Sequence, residues 1–177
     1  MLITKAHIQV IDPHVSDKLA DVYLPPINTY QGEVNTPLRM AAFLAQVLHE
    51  SGGFQWPQEL SSGKEYEGRK DLGNVSPGDG ERYKGRGLIQ ITGRFNYEKV
   101  SQALFGDSRL EHEPETLATP ELAVRSAYWF WNMRKLNALA DAGEFEQITH
   151  RINGGLNGED ERMAYYKRAI QSFGEKL

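Results

Sequence analysis

The sequence predicts a single, predominantly helical α+β domain, and three observations carry that expectation. Two segments open on Thr-Pro, at Thr36-Pro37 and Thr119-Pro120, each followed by a run rich in apolar residues. Thr is a natural N-cap and Pro suits the first helical position, so both read as helix starts. Ten glycines punctuate a polar stretch between Gly52 and Gly93, where the periodic signal fades into loops. The 177 residues fit one domain of the usual size, about 100–200 residues, long enough to bury a core without staples. Residues 1–177 are therefore read as one unit, with no repeat, linker or low-complexity tract.

In chain order, Ser16 caps a short helix expected over 17–24, which Pro25-Pro26 stops. The helix from Thr36-Pro37 runs to Glu50 and is apolar nearly all round, which belongs in a core. Gly52-Gly53 ends it. Within the glycine-rich stretch, Leu88-Ile89-Gln90-Ile91-Thr92 is the best short strand, part of a small hairpin. Phe95, Tyr97, Val100, Ala103 and Leu104 mark a helix over 95–105. The second Thr-Pro opens a core helix over 121–131, whose aromatics read as packing rather than ligand stacking. Phe145, Ile148 and Ile152 mark a short helix closed by Gly154-Gly155, and a last helix covers 159–173.

Composition narrows the function. Lys+Arg 20 against Asp+Glu 24 gives a net charge of −4, opposite to the basic footprint of a nucleic-acid binder. With no cysteine, disulfides, thiolate metal sites and a Cys nucleophile are excluded. The N-terminal segment is broken by Lys5, His7 and Gln9 and does not read as a secretory signal. No apolar run approaches the ~20 residues that cross a bilayer. The expected setting is the cytoplasm of the producing cell, with no membrane partner and a monomer as the default.

Glu50 stands out among candidate catalytic groups. It lies seven residues after Phe43, on nearly the same stripe of an apolar helix. A carboxyl partly removed from water favours its proton-carrying form, as a general acid requires. Cleaving a glycosidic bond needs a second carboxylate across the bond, and the loop offers Glu59, Glu65, Glu67, Asp71 and Asp79. Spacing within a loop does not choose among them. Other chemistries drop out. His49-Glu50 lacks the second His of a zinc-protease helix, since position 53 is Gly. Gly85-Arg86-Gly87 opens neither a dinucleotide nor a Walker loop, and no Gly-x-Ser-x-Gly elbow occurs. No metal and no cofactor are expected.

Three blocks in order then carry a family resemblance. They are His49-Glu50-Ser51-Gly52-Gly53-Phe54, the stretch from Tyr83 to Tyr97 (Tyr-Lys-Gly-Arg-Gly-Leu-Ile-Gln-Ile-Thr-Gly-Arg-Phe-Asn-Tyr), and Ile152-Asn153-Gly154-Gly155-Leu156 followed by Arg162 to Arg168. Together they resemble the chitinase-class members of glycoside hydrolase family 19, most of all the short endolysins of phages and prophages. The resemblance implies a lysozyme-like fold with a deep cleft and inverting hydrolysis of β-1,4 links between N-acetylated sugars. It makes Glu50 the general acid and Glu59, nine positions on, the general base, with Glu67 as the alternative base. Thr92 is then the hydroxyl that helps hold the attacking water, and Gln90 and Asn96 bind sugar and acetamido groups. Asn153 and Arg162 fall in a polar cluster bordering the base. The implied substrate is peptidoglycan, cut for host-cell lysis after release from the cytoplasm. A chitinase and a catalytically silent sugar-binding domain are the alternatives.

Overall fold

The computed structural model describes residues 1–175. Helix α1 (Lys5–Ile11) starts at Thr4, whose hydroxyl accepts from the His7 N–H while the His7 ring accepts from the Thr4 N–H. This is a capping box with His in place of the usual Glu or Gln, and it opens a helix that the sequence pattern did not predict. Helix α2 (Asp17–Tyr30) is capped by Ser16, as expected, but it does not stop at Pro25-Pro26. Each proline leaves the carbonyl four residues back without a donor. Those carbonyls belong to Asp21 and Val22, both exposed, where solvent can meet them. Continuing the helix buries Pro26 and Ile27, and that burial outweighs the lost bonds.

Helix α3 (Pro37–Glu50) begins with the Thr36 hydroxyl accepting from the Arg39 N–H. Every residue from Met40 to Leu48 is buried, so its middle has no solvent face. Beyond the loop region come α4 (Asp79–Arg82), α5 (Arg94–Phe105), α6 (Arg109–His112), α7 (Pro120–Met133), α8 (Leu136–Asp141), α9 (Phe145–Asn153) and α10 (Glu159–Ser172). The helices expected over 95–105, 121–131 and 159–173 are α5, α7 and α10. Helix α3 is the axis of the domain: α10, α8 and α9 pack on it, α1 packs on α10, and α2 on α7. Phe43 of α3 stacks on Tyr128 of α7, ring centroids 4.2 Å apart, and meets Trp131 edge-on at 5.5 Å. Stacked and edge-on pairs both suit the ring quadrupole and hold α7 against α3. A second, smaller core gathers Tyr83, Tyr97, Val100, Leu110 and Leu117.

The strand expected at 88–92 does not form. Among the described residues β-pairing is limited to two isolated bridges, Gln58 with Arg86 and Arg86 with Ile91. Arg86 and Ile91 exchange backbone bonds of 3.1 and 2.7 Å, closing a tight loop in which Gln90 takes a φ of +54°. Gly87 in that loop lies against α7, where an added Cβ would stand 2.8 Å from the Ser126 hydroxyl. Packing on α7 thus overrides the β-propensity of Leu-Ile-Gln-Ile.

The loop region is tied down by Asp79, a buried carboxylate. It accepts from the backbone N–H groups of Val75 and Ser76 and from the Arg94 guanidinium. Burial works against ionisation of Asp79, but Arg94 and the two N–H groups outweigh it and hold the carboxyl below its ordinary range. A folded value below the unfolded one, about 3.9, means stabilisation that is in place above that pH and lost as pH falls through the folded value. Asp79→Asn should therefore lower the urea midpoint at pH 7, and the gap to the parent protein should close as the pH is taken below about 4.

Candidate active site

Glu50 is the last residue of α3, and its side chain is 18% exposed. What meets it is not the purely apolar wall its stripe suggests but a guanidinium. Arg162 of α10 is 1% exposed. It donates to the Glu50 carboxylate at 2.5 Å, to Gln46 Oε1 at 2.5 Å and to the Asn157 carbonyl at 3.1 Å. Gln46 sits one helical turn before Glu50 on the same face, and its amide donates in turn to the Thr149 hydroxyl at 2.8 Å. Arg162 was expected to border the base; it borders Glu50 instead, because α10 packs along α3. A neighbouring contact fixes the same pair of helices. His49 Nδ1 lies 2.5 Å from Glu161 Oε2, and Gly158 at the head of α10 leaves no room for a Cβ against the His49 ring.

Glu59 comes from the loop after α3. Its backbone N–H donates to the Gly85 carbonyl at 3.0 Å. Its carboxylate accepts from the Gly85 N–H at 2.7 Å on one oxygen and from the Tyr66 hydroxyl at 2.9 Å on the other. Burial first, and the Glu59 carboxylate next, push the Tyr66 phenol up to about 12, so it remains a protonated donor at neutral pH. Gly85 is where the site converges: a Cβ there would stand 2.8 Å from Gln90 Oε1, 3.3 Å from Thr92 Oγ1 and 3.4 Å from the Glu59 carboxyl carbon. Glu59, Gln90 and Thr92 thus face one point. The Thr92 hydroxyl donates to the Gln90 carbonyl at 2.9 Å, and the Asn96 amide donates to the Thr92 carbonyl at 2.8 Å. Gln90, Thr92 and Asn96 line a cavity of about 230 Å³ whose far wall is α7, through Trp129, Phe130 and Met133.

Glu67 is engaged elsewhere. Its two carboxylate oxygens accept from the N–H groups of Gly78 and Gly80, both at 2.8 Å, and it pins the loop against α4. Asn153 ends α9 and is exposed; among the described residues it makes no side-chain hydrogen bond to Glu50 or Glu59. No group of three or more His, Asp or Glu among the described residues is placed to hold a metal ion. No described helix is long and apolar enough to cross a membrane. The sequence reading missed Gln46, Tyr66 and Gly85. A lone amide inside an apolar helix was a legible signal for Gln46, whereas nothing in a loop spacing marks Tyr66.

The comparisons with known proteins fall on this same frame. A family model described as chitinase class I, glycoside hydrolase family 19, matches residues 24–142. A glycosyl hydrolase family 19 domain-containing protein of Haemophilus influenzae is 36% identical over 200 residues, covering 94% of this chain and 95% of its own length. The chain belongs to glycoside hydrolase family 19. Members of this family are glycoside hydrolases of chitinase type. An endochitinase of Arabidopsis thaliana is 35% identical over 154 residues, and this chain spans 52% of its length. The crystal structure of chitinase C from Streptomyces griseus superposes on 99% of this chain and 78% of its own with a TM-score of 0.79, at 23% identity. The fold is accordingly the mostly helical, lysozyme-like fold expected.

The crowding at Gly85 makes a sharp prediction. Gly85→Ala should fold, because a methyl at that φ meets movable side chains rather than backbone, yet it displaces Gln90, Thr92 and Glu59 together. Hydrolysis of a soluble oligosaccharide should fall by about 100-fold, a loss of the size that misplacing a catalytic group by 1 Å brings. The thermal midpoint should stay within a few degrees of the parent.

Proposed function

We propose that the protein hydrolyses β-1,4 links between N-acetylated sugars with inversion, using Glu50 as general acid and Glu59 as general base. The observation that carries the reading is the setting of Glu59, which is held as an acceptor by Tyr66 and the Gly85 N–H and faces the Thr92 hydroxyl. Each Glu59 oxygen keeps a lone pair after these bonds, available to a water that Thr92 also touches. That water's oxygen forms a bond to the anomeric carbon and its proton passes to Glu59. The bond to the leaving sugar oxygen breaks as Glu50 delivers its proton there. Arg162 then faces the newly formed Glu50 carboxylate. Gln90 and Asn96 supply amides for hydroxyl and acetamido groups.

Within this chemistry the substrate we favour is peptidoglycan, with the protein acting as an endolysin that waits in the cytoplasm until lysis. Support comes from the end-to-end likeness to a bacterial relative, 95% of whose length this chain matches. Chitin is the second reading, favoured by the endochitinases among the plant relatives. Clearing of permeabilised bacteria without cleavage of chitin oligomers supports the first, and the reverse result the second. Absence of both clearing and oligomer cleavage would leave a silent sugar-binding domain.

Glu50→Gln and Glu59→Gln should each cut the rate by about 100-fold or more, in the range of general acid–base contributions, with Glu50→Gln the more damaging. Glu67→Gln should instead lower stability, through its two backbone donors, and leave the rate of the folded enzyme close to the parent's. If Glu67→Gln were inactive and Glu59→Gln active, the base would be Glu67. Proton NMR of the first product should show the α-anomer; a β-anomer would defeat inversion.

A further inference from the structure

The cleft has a continuation that the proposed reaction does not use. Trp129 and Met133 of α7 line the cavity that holds Gln90, Thr92 and Asn96, and they also line a larger depression of about 690 Å³ on the other side. The opposite wall of that depression is α5, through Glu98, Lys99, Gln102 and Ala103. Asn96, Lys99 and Ala103 follow one another at helical spacing, so a single face of α5 runs out of the cleft and along the groove. From Asn96 to Ala103 the helix rises about 10 Å at 1.5 Å per residue, the length of a disaccharide. Glu98, Lys99, Gln102 and Met133 are exposed.

The composition of this groove is that of a sugar site rather than a greasy patch. Trp129 offers an aromatic body that apolar sugar faces pack on, while one amide, one ammonium and one carboxylate on α5 offer donors and acceptors to hydroxyl and acetamido groups. An apolar partner would cover Trp129 and Met133 but leave those charges to be desolvated without partners. Resting on the activity proposed above, we infer that the groove between α5 and α7 is a distal binding site for two further N-acetylated sugar units of the same β-1,4 glycan chain. Occupation of the cleft threads the chain past Trp129 and Met133, so long strands are held at more points than short ones. The enzyme then discriminates by chain length.

The test is a length series with the double variant Lys99→Ala/Gln102→Ala, whose positions are exposed and outside the cleft. Tetramers and octamers, both of β-1,4-linked N-acetylglucosamine and of peptide-free peptidoglycan strands, serve as substrates. On long substrates kcat/KM should fall about tenfold, equivalent to about 1.4 kcal/mol, with the loss in KM; on tetramers it should be unchanged. Equal losses at every length, or none at any length, would overturn the proposal. A second measurement is independent of turnover. Octamer titrated into Glu50→Gln should shift the backbone amide resonances of Lys99 and Gln102, and tetramer should not. If the parent cleaves none of these glycans, the proposed activity fails, and the titration still decides the groove: shifts there sustain it, and their absence removes it.

Discussion

The buried guanidinium of Arg162 is the contact on which the geometry of the site depends. A desolvated cation costs several kcal/mol unless its donors are met, and here they are met by Glu50, Gln46 and the Asn157 carbonyl. Two of those acceptors lie on α3 and one at the approach to α10, so satisfying the charge sets the position of one helix along the other. The His49–Glu161 contact, with Gly158 packed on the ring, adds a second point one residue away on each helix. A two-point attachment stops α10 from rotating about Arg162. The Glu50 carboxyl is thereby held in one position by the packing of α10 on α3.

The other half of the site is rigid without regular secondary structure. The segment after α3 has almost no backbone ladder, and its stiffness comes from close packing at its glycines. Gly80 sits against the Gly63 carbonyl and the Glu67 backbone, while Gly85 sits against Gln90, Thr92 and Glu59. Two carboxylates supply the remaining ties, the buried Asp79 to Arg94 and the exposed Glu67 to two backbone donors. A loop built this way holds Glu59 as firmly as a strand would, and it leaves one face of the carboxylate open. Gln90 is held at positive φ by the Arg86–Ile91 closure, a cost that the surrounding contacts must sustain.

The two cores meet at Phe130 of α7, which packs against both. Glu50 belongs to the helix at the centre of the larger one, and Ile91, beside Thr92, belongs to the smaller. Helix α7 touches both, since Tyr128 and Trp131 face the large core and Trp129 packs against the small one. Its exposed end, through Trp129 and Met133, lines both the cavity beside Gln90, Thr92 and Asn96 and the depression along α5.

The amino-acid sequence by itself determined the helices whose signals are local: Thr-Pro starts, apolar stripes at helical spacing and glycine stops placed α3, α5, α7, α9 and α10. It also singled out Glu50, because a carboxylate ending an apolar helix is anomalous whatever surrounds it, and the motif blocks brought in Glu59, Gln90, Thr92 and Asn96. Tertiary structure decided what depends on distant partners. Pro25-Pro26 is carried within a helix because Pro26 and Ile27 find a core to enter. Residues 88–92 form a loop because α7 lies over Gly87. Glu59 and Glu67 are alike in sequence and differ in which backbone N–H groups reach them, Gly85 for one and Gly78 with Gly80 for the other. Arg162 meets Glu50 rather than Glu59 because α10, 112 residues further along the chain, packs back onto α3. A local pattern encodes what a residue does for its own element, while the pairing of charges across the fold exists only once the chain has closed on itself.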